Sequence, residues 1–128
     1  MSCLIDHLDH LVLTTTDVAK CEHFYAEVLG MEVVRFSEGR IAFRFGNQKI
    51  NVHVKGHEFE PKAAVPMPGA LDLCFIATCS LKEVVKRLER FGWPILEGPI
   101  ERTGARGKLR SVYVRDPDQN LIEISELV

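Results

Sequence analysis

The sequence predicts an α+β fold made of two modules, each with the element order β-α-β-β-β. An apolar strand, a helix and three further strands occur in the first half of the chain and again, in the same order, in the second half. Helical segments carry apolar residues at spacings of three and four, whereas strand segments are rich in β-branched and large apolar residues. A segment with three prolines, residues 60–69, separates the two halves.

In the first half, residues 8–15 form the first predicted strand. Asp17 is a good N-cap for the helix that follows, and Gly30 suits the position after its last turn. Turn residues then divide the next segment into three further predicted strands, at about residues 32–37, 41–45 and 49–54.

The second half begins with a predicted strand over residues 71–77. Ser80 and Glu83 have the spacing of a capping box, so a helix is expected from Leu81 until it stops at Gly92. The remaining strands are predicted at about residues 94–97, 109–115 and 121–126. A four-stranded module leaves one sheet face uncovered, so two modules must meet to bury it, within one chain or between two chains.

The whole chain of 128 residues is expected to be one domain, with module one at about 5–55, a linker at about 56–70 and module two at about 71–128. The net charge is −2 and the basic residues are scattered, which argues against nucleic-acid and membrane binding. No secretory signal or membrane span is predicted. The four cysteines have neither zinc-site nor disulfide-framework spacing and are expected to be free thiols, two of them in the core, in a reducing cytoplasm.

Two side chains able to bind metal stand in the middle of apolar strands. His10 lies in the first predicted strand and Glu123 in the last. Burying an imidazole or a carboxylate among apolar residues is costly unless something compensates it, and a divalent metal would compensate both. The alternative is a buried hydrogen-bonded pair without metal.

Several short motifs resemble the vicinal oxygen chelate superfamily, which contains glyoxalase I, fosfomycin and bleomycin resistance proteins, and extradiol dioxygenases. These motifs are the aromatic pair at 24–25, Val-Leu-Gly at 28–30 and Asp-Pro-Asp at 116–118, set within paired βαβββ modules. Residues 58–64 and 97–105 most resemble a narrower subgroup of small bacterial virulence proteins similar to lactoylglutathione lyase, together with glyoxalase-domain-containing protein five.

The resemblance implies a curved mixed sheet around a cup, with metal ligands from the first and last strands of each module. His10 and Glu123 occupy two ligand positions with the family's usual residues. Asp72 stands where the family usually has histidine and is the third expected ligand. A register shift of one residue would instead turn Leu73 inward. The expected cofactor is a divalent ion, namely Zn, Ni, Mn or Fe.

The fourth ligand position falls at Asn51, with His53 two residues further on and therefore on the same face. Asn51 is expected to hydrogen-bond a metal-bound water or the substrate. His53 is the candidate acid/base or, in place of Asp72, a metal ligand, and the alternative for it is a half-exposed polar residue. The implied activity is lyase or isomerase chemistry on a small substrate with vicinal oxygens. Fe(II)-dependent ring cleavage and non-catalytic sequestration of a drug or metabolite are the alternatives.

Three further expectations concern a loop, a turn and the assembly. Arg102 and Arg106 flank a glycine in a predicted strand-to-strand loop that could bind a carboxylate or phosphate of an anionic substrate, or could be a plain hairpin. Gln119 stands where the family usually has glycine, so a positive φ there would be strained. The resemblance also implies a homodimer in which module one of one chain faces module two of the other.

Overall fold

A computed structural model of the chain, which describes residues 2–128, confirms the α+β fold. The first module consists of β1 (His10–Thr15), α1 (Val18–Glu22), which continues as a π-helical segment (His23–Val28), β2 (Glu32–Phe36), β3 (Arg40–Phe45) and β4 (Gln48–Val54). The second consists of β5 (Asp72–Ile76), α2 (Leu81–Arg90), β6 (Glu97–Thr103), β7 (Lys108–Arg115) and β8 (Leu121–Leu127).

Each module forms its own four-stranded mixed sheet, and the two sheets have the same strand order. The orders are β1-β4-β3-β2 and β5-β8-β7-β6, with the first two strands of each order parallel and the others antiparallel. The chain divides into two compact units, one ending at Met67 and one spanning Pro68–Val128. Within residues 2–128, no helix has the length and apolar character needed to cross a membrane.

The first helix changes its hydrogen-bonding pattern halfway along. The N–H of Leu29 donates to the carbonyl of Phe24, five residues earlier, at 2.9 Å. This wider turn lets Phe24, Tyr25 and Val28 all be fully buried. The Tyr25 ring stacks on Phe43 with centroids 5.3 Å apart, so the side chains on the Phe43 side of the first sheet face the helix. The aromatic pair at 24–25 therefore belongs to the core.

One predicted strand lies in a different place. The expected strand at 94–97 is replaced by β6 (Glu97–Thr103), which has an irregular register between Glu97 and Ile100. The sequence of β6 contains Gly98, Pro99 and several charged residues, all of which are depleted in strands. Such a strand is tolerated because β6 is the edge strand of its sheet, where a missing N–H leaves no partner unsatisfied.

The turn before β8 fixes the start of that strand against β5. The buried Asp116 carboxylate accepts hydrogen bonds from the N–H groups of Asp118 and Asn120, each at 2.9 Å, and from the Asn120 amide at 2.7 Å. The side-chain oxygen of Asn120 accepts the N–H of Leu71 at 2.8 Å, and the Leu121 N–H donates back to the carbonyl of Leu71 at 3.0 Å. The turn therefore sets the register of β5 on β8.

Gln119 in this turn has a φ of 74°, which confirms the strain expected from the sequence. We expect Gln119→Gly to raise the free energy of unfolding by about 1 kcal/mol or less, because relief of left-handed strain is partly offset by the greater freedom of glycine in the unfolded chain. Urea denaturation measures this change. Gln119→Ala is the matched control and should give no such gain. A Gln119→Gly protein no more stable than the wild type would contradict the prediction.

Candidate metal and ligand site

In each module, the sheet face remote from the module's own helix is called the distal face. The candidate side chains His10, Asn51, His53, Asp72 and Glu123 lie on the distal faces of the two sheets. In the first sheet, β1 and β4 pair so that His10 lies beside Lys49, Val12 beside Asn51 and Thr14 beside His53. These residues alternate with Leu13, Ile50 and Val52, which are buried toward the helix. In the second sheet, Glu123 lies between Cys74 and Tyr113.

His10 is the first residue of β1 and is exposed, so the expectation that it would be buried in the middle of an apolar strand is wrong. One of its ring nitrogens is engaged. Its Nδ1 is 2.8 Å from the carboxylate of Asp9. The hydrogen bond to His10 is the main reason why the pKa of Asp9 lies below its ordinary value. A carboxylate on Nδ1 fixes the imidazole tautomer and leaves Nε2 as a lone-pair donor, which is the usual arrangement behind a metal-binding histidine.

Glu123 is oriented by two serine hydroxyls. The Ser111 hydroxyl donates to its Oε2 at 2.6 Å and the Ser125 hydroxyl at 3.3 Å, and both serines are fully buried. Both serine contacts use the same carboxylate oxygen, Oε2. Neither serine was predicted from the sequence. Ser125 could have been found, because it lies two residues from Glu123 on the same strand and therefore on the same face.

Asp72 lies on the same face as Glu123. It pairs with Leu121 while Cys74 pairs with Glu123, so the alignment that places Asp72 at the ligand position is the one observed, and Leu73 faces the other way. Asp72 is exposed. Cys74 contacts the Ser125 hydroxyl at 3.4 Å. Although the Cys74 residue is exposed, partial desolvation of its thiol is the main cause that raises the pKa of Cys74, so the reactive thiolate is disfavoured there.

His53 and Asn51 carry buried polar atoms that lack a hydrogen-bond partner within residues 2–128, namely Nδ1 of His53 and Oδ1 of Asn51. The alternative expected for His53, a half-exposed polar residue, is wrong, because only 8% of its surface is exposed. Burial, followed by the charge of Arg40, lowers the pKa of His53, so its imidazole is neutral near pH 7 and can accept a proton. The Phe59 ring contacts His53 edge-on with centroids 5.7 Å apart.

The two arginines of the predicted anion-binding loop are in different settings. Arg102 lies on β6 rather than in a loop, where its guanidinium donates to the Tyr113 hydroxyl at 3.0 Å and to Glu97 at 3.3 Å. The hydrogen bond to Tyr113 is the main cause that raises the pKa of Arg102. Arg106 lies in the short hairpin turn between β6 and β7 and is exposed. Anion binding by these arginines stays a prediction.

The donor set suits a divalent metal, although no single cluster is complete in the described part of the chain. His10 and Glu123 are each oriented by neighbouring side chains and each present a nitrogen or oxygen donor, which suits Zn, Ni, Mn or Fe. Among the described residues, no three His, Cys, Asp or Glu side chains are grouped closely enough to hold a metal ion. All four cysteines are free thiols, and only Cys21 is buried, so the expectation of two core cysteines is wrong.

Two βαβββ modules of identical strand order, each with ligand-type side chains on its distal face, define a glyoxalase-like protein. The family model of the glyoxalase/bleomycin resistance protein/dioxygenase superfamily matches residues 7–124, and the chain belongs to this family.

Individual relatives agree with this assignment. Virulence protein STM3117 of Salmonella typhimurium is 53% identical over 125 residues, covering 98% of this chain and 87% of that protein. Its crystal structure gives a TM-score of 0.95 at 52% identity, covering 98% of this chain and all of that one. Glyoxalase domain-containing protein RDO1 of Mycosarcoma maydis is 56% identical over 118 residues, which cover 92% of this chain and 66% of that protein. A lactoylglutathione lyase from Agrobacterium tumefaciens gives a TM-score of 0.73 at 25% identity, covering 95% and 94% of the two chains.

Proposed function

We propose that this protein is a metal-dependent lyase or isomerase that acts on a small substrate with vicinal oxygens. The observation that carries the proposal is the orientation of Glu123, whose Oε2 is held by two buried serines. His10, held by Asp9, is the second ligand and Asp72 the third. The solved lactoylglutathione lyase supports this class of reaction, because it shares the fold along almost its full length.

The metal, when bound, acts as a Lewis acid toward the substrate oxygens and favours the negative charge that develops in the transition state. The protein side chains supply the remaining chemistry. His53, neutral and buried, takes the proton from the substrate carbon at one of its ring nitrogens and returns it. Asn51 positions the substrate through its buried Oδ1, which accepts a hydrogen bond from a substrate hydroxyl.

We further propose a homodimer with exchanged modules, in the cytoplasm. His10 belongs to the first unit of the chain, whereas Glu123 and Asp72 belong to the second, so a complete ligand set needs both kinds of module. Large apolar side chains are exposed on the distal faces, including Val12 on β1 and Ile76 on β5. A second copy of the chain would cover such residues. Four free thiols fit a reducing compartment.

The test is metal content and activity of protein purified without chelators. Wild-type protein should bind about one divalent ion per site and isomerise the adduct of glutathione with an α-ketoaldehyde when loaded with Zn, Ni or Mn. Glu123→Gln and His10→Ala should each weaken metal binding by well over tenfold. Ser111→Ala should weaken it less, by roughly tenfold, because the carboxylate remains but loses its orientation.

The matched control is His23→Ala. His23 is also a histidine whose Nδ1 contacts a carboxylate, Glu27, at 3.0 Å, but it lies on the helix. This variant should keep full metal content. Metal binding unchanged in both Glu123→Gln and His10→Ala would overturn the proposed site. Metal-loaded wild type that consumes a catechol with Fe(II) and oxygen would show a dioxygenase instead. Inert protein that binds a small ligand tightly would show sequestration.

A further inference from the structure

One end of the distal face of module one carries an arginine that has no acidic partner among the described residues. Strands β3 and β4 are antiparallel, and Ile41 pairs with Val52. The next residue of each strand beyond this pair is Arg40 on β3 and His53 on β4, so these two residues lie side by side. The Arg40 guanidinium lies 3.9 Å from the centroid of the Phe59 ring, and His53 contacts the same ring from another side. Arg40 and His53 are thus held together over one aromatic side chain.

The other arginines of this sheet have acidic partners. Arg35 pairs with Glu22 at 2.8 Å and Arg44 with Glu32 at 3.2 Å, but no carboxylate within residues 2–128 forms an ion pair with Arg40. The nearby acid is engaged elsewhere. Glu58 accepts the N–H of Gly56 at 2.8 Å and lies 3.6 Å from Lys62. The Gly56 N–H is the main cause that holds the pKa of Glu58 below its ordinary value.

Two unsatisfied polar atoms lie on the same sheet face as this arginine. His53 Nδ1 and Asn51 Oδ1 are buried without partners in the described part of the chain, and His53 is more than nine-tenths buried. Buried polar atoms of folded proteins are nearly always hydrogen-bonded, and leaving one unpaired costs about 1–3 kcal/mol. The Arg40 guanidinium donates hydrogen bonds, and Nδ1 of His53 donates when it carries the ring proton, so both can bind a carboxylate. Oδ1 of Asn51 only accepts, so it suits a hydroxyl or N–H group of the same ligand.

The rest of the same face determines the shape of that acid. The row next to Arg40 and His53 consists of Val34, Ala42, Asn51 and Val12, so it is mostly apolar. His10, the expected metal ligand, lies four residues from Thr14, which is the neighbour of His53. At about 3.3 Å per strand residue, the two ends of the face are about 13 Å apart along β1.

We propose that Arg40, with His53, forms a carboxylate-binding subsite, and that the ligand is an elongated carboxylic acid with an apolar body. The carboxylate binds the guanidinium of Arg40, and the body lies over the apolar row. The body extends along the face toward His10; this last element alone rests on the proposed function. Arg40 is therefore the residue that selects charged over neutral substrates.

The experiment uses hexanoate as the probe and its neutral amide, hexanamide, as the control ligand. The full-length wild-type protein is labelled with ¹⁵N-histidine and titrated with each compound, with and without EDTA, while ring resonances and thermal midpoint are followed. Hexanoate should shift the His53 ring nitrogens and raise the midpoint, and hexanamide should do neither. Arg40→Gln should weaken hexanoate binding by roughly tenfold or more.

Arg44→Gln is the matched control variant, since Arg44 lies on the same strand and face but is paired with Glu32. It should bind hexanoate as the wild type does. Arg40→Lys keeps the charge and serves if Arg40→Gln is poorly folded; it should bind hexanoate more weakly than wild type but still reject hexanamide. Equal binding of acid and amide, no binding of hexanoate, or unchanged binding in Arg40→Gln would overturn the subsite. EDTA removes any bound metal. Hexanoate binding measured in EDTA therefore tests the Arg40 subsite even if the proposed metal site proves wrong.

Discussion

Gly98→Ala is expected to lower the free energy of unfolding by about 3 kcal/mol or more. Gly98 has a φ of 110°, and a Cβ placed there would lie 2.4 Å from the carbonyl oxygen of Ser111 and 3.0 Å from Cα of Val112. Both atoms belong to the backbone of β7, so a side-chain rotation cannot relieve the clash. Urea or thermal denaturation measures the loss.

The control for this prediction is Gly39→Ala. Gly39 has a φ of 74°, but a methyl group added there would meet no atom of residues 2–128 within 4 Å, so only the backbone strain of about 1 kcal/mol applies. The difference between the two variants isolates the clash. Equal stability losses would show that β6 can move away from β7 freely. The clash also displaces Ser111, whose hydroxyl orients Glu123. The fraction of Gly98→Ala protein that remains folded should therefore bind metal more weakly than the wild type.

Mixing two inactive variants is expected to restore metal binding. On the proposed exchange of modules, each site takes His10 from one chain and Glu123 from the other. Neither His10→Ala nor Glu123→Ala can form an intact site alone. When the two variants are refolded together, one of the two sites in a mixed dimer regains both ligands. Isolated mixed dimers should therefore bind about half as much metal as the wild type, and recover a similar share of activity.

The control is each variant refolded alone and remixed without unfolding, which should stay metal-poor. Metal content in the mixed dimers no higher than in the two parents would reject the cross-chain site. Sedimentation at micromolar concentration tests the assembly separately, because a monomer would contradict the proposed dimer whatever its metal content.

The element order could be predicted from the sequence because each element carries a local signal. Asp17 and Ser80 accept hydrogen bonds at the helix starts as N-caps should. The turn residues also divide β2, β3 and β4 close to the expected positions. The position of β6 could not be predicted, because Gly98 and Pro99 disfavour strands and only pairing with β7 makes one there. The π-helical turn likewise depends on packing against Phe43.

The candidate site was predictable only in part. His10 and Glu123 could be found because a polar residue in an apolar strand is conspicuous. The serines that hold Glu123 lie on two different strands, and their contact depends on the β7–β8 register. Arg40 gives no signal in the sequence, since one arginine among scattered basic residues looks like a surface charge. Its difference from Arg35 and Arg44, which both have acidic partners, becomes visible only when the other side chains are in place.

The hydrogen-bonded turn at 116–120 affects how inactive variants of this protein will be interpreted. Asp116 and Asn120 are each 1% exposed and touch no proposed ligand. They nevertheless help to set the register of β5 on β8, because Asp116 holds Asn120, whose side-chain oxygen accepts the N–H of Leu71. A slip of one residue would turn Asp72 and Cys74 away from the face of Glu123. In a mutational scan for activity, substitutions in this turn would therefore give the same loss as substitutions of the proposed ligands. A metal titration on folded protein would be needed to separate the two groups of variants.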